Sequence, residues 1–272
     1  MNKFAQAAEA IKSCNTIIIT AGAGLGVDSG LPDFRGNEGF WNAYPPYKKL
    51  NLNFYDAANP AHFSRDPSLG WGFYGHRTIM YRETAPHEGF YILKDWISRF
   101  QLDYFVVTSN VDGQFQKAGF SEDKIFEVHG SIHHLQCTIP CNHSIWENDE
   151  EYSIDYNTMR AKSIPKCKFC NSTARPNILM FGDYYWLSDR SDQQEIRFGR
   201  FIQNLDHNPT VVVVELGAGT AVPTIRYLSE NLGYQYGCTV IRINPREYHI
   251  SPPHISLPCG AKEALTKINQ IL

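Results

Sequence analysis

A glycine-rich segment follows the first apolar run of the chain. The run TIIIT at 16–20 predicts a strand buried on both faces, and Gly22, Ala23 and Gly24 come directly after it in the sequence GAGLG. Glycines at a turn between a strand and a helix let the backbone approach phosphate groups, and a helix N-terminus favours the anion. The spacing is not a regular GxGxxG, because Val27 takes the sixth place, so the turn alone also has a purely structural explanation.

The residues that follow this turn favour the phosphate interpretation. Asp33, Phe34 and Arg35 lie in the segment SGLPDFRG at 29–36. A guanidinium can pair with phosphate oxygens, and the Phe34 ring is suited to covering a reactive sugar. The sequence therefore predicts a phosphate-bearing ligand beside 22–35.

Four of the seven cysteines form two close pairs, Cys137 with Cys141 and Cys167 with Cys170. Two thiolate pairs on a polar segment predict a closed tetrahedral Zn²⁺ site, and four thiolates leave no position for a catalytic water, so the zinc would be structural. The alternatives are four unrelated free cysteines, or His143 as a competing ligand. The odd cysteine count argues against a disulfide framework.

Composition narrows the function classes. The formal net charge is -3, the pI is about 6.4, and no long basic run occurs, which gives no reason to expect nucleic acid as a partner. No apolar stretch approaches the ~20 residues of a membrane span. The N-terminus lacks the order of a secretory signal, so we expect a cytoplasmic protein without membrane association.

Strand patterns alternate with helix patterns, which predicts an α/β fold: a Rossmann-like parallel sheet with helices on both faces. The predicted strands lie at 16–20, 104–108, 124–128, 177–181, 211–216 and 239–243. The predicted helices lie at 4–12, 53–63, 69–82, 89–100, 192–205 and 261–272.

Three parts of the chain are distinguished by these patterns. We assign 1–44, 86–135 and 174–272 to the Rossmann-like domain, 45–85 to a helical module and 136–173 to a small zinc-binding insertion. In parallel sheets, ligands bind beyond the carboxyl ends of the strands. The polar or glycine-rich clusters that follow strands are 22–35, 109–112, 217–220 and Asn244.

The run GAGLGVDSGLPDFRG resembles the signature of the sirtuins, NAD-dependent protein deacylases, and further motifs extend the resemblance over about 5–270. TSNVD at 108–112 is similar to the family's TQNID, and EVHGS at 127–131 to its catalytic HGS. FGD at 181–183 is similar to its FGE, the four cysteines to its zinc site, and Asn244 to its ribose-binding asparagine.

The resemblance implies that NAD is consumed as a co-substrate and that the partner is an acyl-lysine protein or peptide. His129 would be the general base, while Asn110 and Asp112 would hold the nicotinamide and its ribose. The acyl oxygen attacks C1′, nicotinamide leaves, and a ribose hydroxyl attacks the imidate to give lysine and O-acyl-ADP-ribose. The expected NAD contacts are Gly22, Ala23, Gly24, Asp33, Phe34, Arg35, Ser109, Asn110, Asp112, Gly217, Thr220, Asn244 and Cys259.

Tyr74 and Arg77 are three residues apart in a predicted helix, so their side chains share a face. The pair resembles the one with which class III sirtuins read the carboxylate of succinyl- or malonyl-lysine, and a guanidinium with a phenol suits an acidic acyl group. The alternatives are a surface helix with ordinary polar residues, or Arg82 in place of Arg77.

Some positions depart from the sirtuin pattern. Gly26 replaces a common serine, Ser109 replaces glutamine, and the loop at 217–223 matches loosely. The segment 110–119 also resembles the macrodomain-linked sirtuins, which transfer ADP-ribose to proteins and lack the catalytic histidine; the presence of His129 favours deacylation. Protein ADP-ribosyl transfer, NAD hydrolysis and a non-catalytic NAD or ADP-ribose sensor remain alternatives.

Overall fold

The computed structural model describes residues 2–32, 40–42, 44–49, 51–205 and 210–272. The strands are Thr16–Ala21 (β1), Asp103–Thr108 (β2), Ile125–Glu127 (β3), Gly130–Cys137 (β4), Ile145–Glu147 (β5), Ile154–Asp155 (β6), Arg160–Ala161 (β7), Ala174–Ile178 (β8), Val211–Leu216 (β9), Thr239–Ile243 (β10) and Ile255–Leu257 (β11).

Two short 3-10 helices, Ala23–Ser29 and Glu122–Lys124, accompany the α-helices. The α-helices are Lys3–Ser13 (α1), Pro45–Lys49 (α2), Phe54–Ala57 (α3), Ala61–Arg65 (α4), Pro67–Glu83 (α5), Glu88–Arg99 (α6), Gln114–Lys117 (α7), Asp189–Gln203 (α8), Thr224–Tyr236 (α9) and Ala261–Asn269 (α10).

The main sheet is parallel and has six strands in the order β11-β10-β9-β1-β2-β3. From β1 the chain first builds β2 and β3 on one side and later builds β9, β10 and β11 on the other. The strand order therefore reverses between β1 and β9, and the loops that follow these two strands diverge. Such a switch point leaves a crevice at the carboxyl edge of the sheet, the edge at which the parallel strands end.

Helices cover both faces of this sheet, as predicted, because successive residues of a strand point to opposite faces and the central strands are apolar on both. Ile17 and Ile19 belong to a buried cluster with α1, α6 and α10. Ile18 and Val213 belong to a second cluster with α8 and α9 on the other face. β1 and β9 are buried along their whole length.

A third buried cluster joins the helices from α2 to α5 to the smaller sheets, and it is rich in aromatic residues. Helix α5 runs against β7, and Gly72 permits the contact: a Cβ there would lie 1.8 Å from the carbonyl oxygen of Met159. Several predicted helices differ in extent: the helix predicted at 192–205 is Asp189–Gln203, and the helix predicted at 261–272 ends at Asn269. The segment predicted as one helix at 53–63 forms the separate helices α3 and α4, and the helix predicted at 69–82 is the longer α5.

The strand predicted at 177–181 is wrong in position. The observed strand β8, Ala174–Ile178, pairs antiparallel with β4 in a three-stranded sheet of order β5-β4-β8. Hydrogen bonding to β4 ends the strand at Ile178, and residues 179–183 turn away toward the crevice. This antiparallel sheet runs from Gly130 to Ile178 and is wider than the insertion assigned to 136–173.

The four paired cysteines converge at one end of the small sheet. The Sγ atoms of Cys137 and Cys170 are 3.7 Å apart, as are those of Cys141 and Cys167, and all four Sγ atoms lie within 4.8 Å of one another. Four sulfurs held about 2.3 Å from a tetrahedral zinc ion would be separated by about 3.8 Å. The donor set and its spacing therefore fit the structural zinc site predicted from the sequence.

In the described part of the chain, every helix is too short or too polar to cross a bilayer.

Zinc removal tests this cluster. We expect Cys170→Ser, or treatment with a strong chelator, to lower the melting temperature markedly, because zinc-binding free energy contributes directly to folding of the small sheet. The measurements are metal content and thermal unfolding. The isolated Cys14→Ser should retain zinc, and an unchanged melting temperature in metal-free protein would contradict a structural metal.

Candidate active site

A cavity of about 880 Å³ lies at the carboxyl edge of the main sheet, at the switch point between β1 and β9. Its walls come from the loops after β1, β2, β3 and β9, from helix α5 and from 178–183. The predicted site residues that line it are Gly22, Ala23, Tyr74, Arg77, Ser109, Asn110, Asp112, His129, Gly217 and Thr220. The topology thus gathers residues that are far apart in sequence around one space.

The loops after β1 and β9 meet through their backbones. The N–H of Gly24 donates to the carbonyl oxygen of Gly217 over 3.0 Å. Gly217 has a φ of +63°, and a Cβ on it would lie 2.3 Å from the backbone nitrogen of Leu25. Gly24 does not line the cavity, and its amide is already used in this contact, so it acts by holding the two loops together.

Asn244 is fully buried beneath these loops. Its Nδ2 donates to the carbonyl oxygen of Ala218 over 2.9 Å, and its Oδ1 accepts from the amides of Arg246 and Glu247, each over 3.0 Å. Ala218, Arg246 and Glu247 all line the cavity, whereas Asn244 does not. Asn244 therefore holds three residues of the cavity wall in position without facing the cavity itself.

Other predicted contacts lie elsewhere. Cys259 is outside the cavity lining and packs against the α1, α6 and α10 side of the core, where burial raises the pKa of its thiol to about 11. Asp33, Phe34 and Arg35 fall outside the described residues. Pro32, directly before them, lines the cavity.

His129 follows β3 and lines the cavity between Ser109 and the 178–183 segment. Burial lowers the pKa of this imidazole below its ordinary value, and an interaction with the Ser109 backbone opposes the shift. The imidazole is therefore neutral at neutral pH and able to accept a proton. Gly130 next to it has a φ of +76°, and a Cβ there would lie 2.1 Å from the Asn177 carbonyl oxygen, which ties His129 to the small sheet.

Asn110 and Asp112 follow β2. The Asn110 Nδ2 donates to the carbonyl oxygen of Gly22 over 3.1 Å, which ties the loop after β2 to the glycine loop. Burial raises the pKa of Asp112 to about 6, and a hydrogen bond from the Gln114 amide to its carboxylate opposes the shift. A carboxyl group that titrates near neutrality inside a cavity is typical of a functional site.

Helix α5 forms another part of the cavity wall, with the side chains of Tyr74, Arg77 and Tyr81 on one face. Arg77 is buried, and its Nε and Nη2 donate to the hydroxyl of Tyr81 over 3.0 and 2.6 Å. Its guanidinium carbon lies 5.2 to 5.6 Å from the ring centroids of Phe73, Tyr74 and Tyr81. The alternative of an ordinary surface helix is therefore wrong, because this face points into the cavity.

Burial raises the pKa of Tyr74 to about 12, so its phenol stays protonated and can donate a hydrogen bond. Arg82, the alternative to Arg77, does not line this cavity and donates to the carbonyl oxygens of Glu150 and Asn148 instead. Tyr81 was not predicted, although its spacing of four residues from Arg77 places it on the same helix face.

Residues 179–183 form a further part of the cavity wall. Like Tyr81, they were not predicted as site residues. A buried ion pair holds their turn: Arg175 of β8 donates to both carboxylate oxygens of Asp183, and neither side chain is exposed. The ring centroids of Phe181 and Tyr55 are 4.4 Å apart at the mouth of the cavity. The turn leaves the apolar side chains of Leu179 and Phe181 partly open to solvent beside the entrance.

Comparison with known proteins agrees with this arrangement. Residues 22–206 match the Sir2 family. A protein of Leptospira interrogans named NAD-dependent protein deacylase is 31% identical over 231 residues, covering 85% of this chain and 82% of that protein. One of the same name from Aquifex aeolicus is 29% identical, covering 86% and 85%.

Solved structures are similar over nearly the whole chain. A mutant Sir2 homologue in complex with ADP ribose superposes with a TM-score of 0.72 at 25% identity, covering 98% of this chain and 95% of that one. The ordered motifs around the cavity, the cysteine cluster and these matches lead to one conclusion: this chain belongs to the Sir2 family.

Proposed function

We propose that the protein is an NAD-dependent protein deacylase that transfers the acyl group of a modified lysine to the ADP-ribose part of NAD. The observation that carries this proposal is that a half-buried His129 with a lowered pKa, a glycine loop and the buried cation Arg77 all face one cavity. The relatives named NAD-dependent protein deacylase and the Sir2 homologue bound to ADP ribose support it.

The cavity residues suit NAD. The cavity has a volume of about 880 Å³, which is in the range of pockets that hold large ligands. Gly22 and Gly217 bring backbone to the cavity surface without side chains, as a diphosphate requires. Asn110 and Asp112, in the neighbouring loop after β2, would hold the nicotinamide ribose and the carboxamide. NAD would supply the electrophilic C1′ and the hydroxyl that receives the acyl group.

In this reaction His129 accepts a proton from a ribose hydroxyl, which makes that oxygen nucleophilic toward the acyl carbon. The neutral imidazole that burial favours is the form needed for this step. The substrate peptide would lie along the mouth beside 179–183, where backbone groups at the end of β8 can pair with an extended chain.

We further propose a preference for acidic acyl groups such as succinyl or malonyl. Arg77 places a permanent positive charge in the cavity wall, and the protonated phenol of Tyr74 adds a donor. The hydroxyl of Tyr81 receives two hydrogen bonds from Arg77 and thereby fixes the orientation of the guanidinium. A carboxylate at the end of an acyl chain matches such a rigid cationic group.

Product analysis tests the reaction. Purified protein is incubated with NAD and a panel of acyl-lysine peptides, and the products are identified by mass spectrometry. Free lysine with O-acyl-ADP-ribose supports deacylation. ADP-ribosylated protein, or ADP-ribose alone, would instead show a transferase or a hydrolase, and no nicotinamide release with any peptide would favour a sensor.

Removing the proposed base should separate catalysis from binding. We expect His129→Ala to lower kcat/KM roughly 10²–10⁴-fold, because a general base contributes about that much to catalysis. The affinity for ADP-ribose, measured by calorimetry, should change little. His249→Ala, which removes an exposed histidine, is the matched control. Loss of ADP-ribose binding in a folded His129→Ala variant would contradict the assigned role.

Neutralising the cation of the acyl pocket should change specificity. We expect Arg77→Met to reduce kcat/KM for a succinyl-lysine peptide by about 10–100-fold, the value of a hydrogen bond to a charged group. Turnover of the acetyl-lysine peptide should fall far less. The exposed Arg65→Met serves as the control. Equal losses for both peptides would show that Arg77 supports the fold rather than reading the acyl group.

The pH dependence of kcat/KM for NAD should show an acid limb at or below about pH 6. As pH falls through about 6, Asp112 gains a proton and stops acting as a carboxylate acceptor. His129, whose pKa lies below its ordinary value, also gains a proton on the acid side and stops acting as a base. In Asp112→Asn the limb due to Asp112 should disappear, while the limb due to His129 remains. An acid limb centred well above neutrality would contradict these assignments.

A further inference from the structure

A second, smaller cavity of about 310 Å³ adjoins the first and shares Asp112 and Tyr81 with it. Basic side chains dominate its polar lining: Arg82, Lys117 and Arg190, none of which lines the large cavity. Two histidines, His133 and His134, complete this wall. We call this space the basic pocket.

Two of the cations are held by carbonyl groups. The Nζ of Lys117 donates to the carbonyl oxygens of Arg82 and Thr84 over 2.5 and 2.7 Å. The Nη1 of Arg82 donates to the carbonyl oxygen of Glu150 over 2.7 Å. Carbonyl oxygens fix the positions of these cations without cancelling their charge, and an ammonium and a guanidinium each keep further N–H donors for a ligand.

The third cation is paired with a carboxylate. The Nη2 of Arg190 lies 2.6 Å from a carboxylate oxygen of Glu127. The Nη1 of Arg190 and the Oε1 of Glu127 are both buried and have no hydrogen-bond partner among the described residues. Glu127 therefore offsets the charge of Arg190, and the N–H donors available to a ligand in the pocket come from Lys117 and Arg82.

The charges around the pocket act on its histidines. Burial lowers the pKa of His134 to about 3, and Arg190 adds to the shift. Burial also lowers the pKa of His133, and Arg82 and Lys117 contribute. The acidic lining groups are Glu122, which is exposed, and Asp112, whose carboxylate accepts the Gln114 amide. Glu127 offsets Arg190, whereas Lys117 and Arg82 are held by carbonyl oxygens and form no ion pair with a carboxylate of the described residues.

We propose that the basic pocket binds a small oxyanion of the phosphate type, either free or as the phosphate group of a small metabolite. The oxygen atoms would accept charge-assisted hydrogen bonds from Lys117 and Arg82, which are the donors that favour phosphate. Because Asp112 lines both cavities, an anion here changes the electrostatic field at the larger cavity as well.

Histidine NMR gives local reporters of this site. Protein labelled with ¹⁵N-histidine is first saturated with ADP-ribose, which competes with phosphate for the glycine loop, and inorganic phosphate is then titrated at constant ionic strength. We expect saturable shifts at the rings of His133 and His134, with a Kd of about 1 mM or tighter. The exposed His249 should not follow the same curve.

Charge removal gives the matched comparison. Lys117→Gln and Arg82→Gln should each weaken phosphate binding by about tenfold, as expected for loss of one charge-assisted hydrogen bond. Lys12→Gln, which removes an exposed lysine from α1, should leave it unchanged. An unchanged ADP-ribose affinity shows that the variants are folded. The proposal fails if the His133 and His134 shifts are absent, do not saturate, or persist equally in both pocket variants.

Discussion

The site depends on a contact between two backbones at the switch point of the sheet. The loops after β1 and β9 diverge, yet Gly24 and Gly217 hold them together through a hydrogen bond of 3.0 Å. A side chain on Gly217 would collide with the backbone at 2.3 Å, and its positive φ would also be strained. Glycine is thus required for the loops to meet, and their meeting creates the floor of the cavity.

Buried polar groups hold further parts of the cavity wall in position. Asn244 connects Ala218 with the 246–247 turn, and Arg175 fixes Asp183 and with it the 179–183 wall. The Asn244 amide and the Asp183 carboxylate already have hydrogen-bond partners within the protein, so their role is to hold the wall rather than to bind a ligand. Breaking one partner of a buried pair leaves the other uncompensated, which is strongly destabilising. These residues hold the wall in place, while their neighbours face the cavity.

The sequence predicts the centre of the fold better than its periphery. The strands β1, β2 and β9 are buried on both faces and are therefore uninterrupted apolar runs, which periodicity detects. The three-residue strand β11 is too short to show a pattern, and helix α9 was not predicted. β8 was misplaced because its sequence, ARPNI, contains arginine, proline and asparagine, whose buried positions are explained only by tertiary partners.

Site residues divide in the same way. The motifs identify His129, Asn110 and Asp112 because each follows a strand that ends at the carboxyl edge. The motif FGD at 181–183 indicates part of the 179–183 wall, but the Arg175–Asp183 pair that fixes its position is visible only in the structure. The motif also identifies Asn244. However, the buried hydrogen bonds by which Asn244 holds the cavity wall in position are visible only in the structure.

The helical repeat of α5 determines which of its side chains face the large cavity and which face the basic pocket. At 100° per residue, Tyr74 and Tyr81 lie about 60° and 40° from Arg77 in the same direction around the helix, so the three share one face. Arg82 lies about 140° from Arg77 and must face elsewhere. The structure places the first three in the large cavity and Arg82 in the basic pocket, with Tyr81 touching both. The same helix therefore supplies one cation to the large cavity and a second cation to a separate space, and Asp112 is the carboxylate that both cavities share.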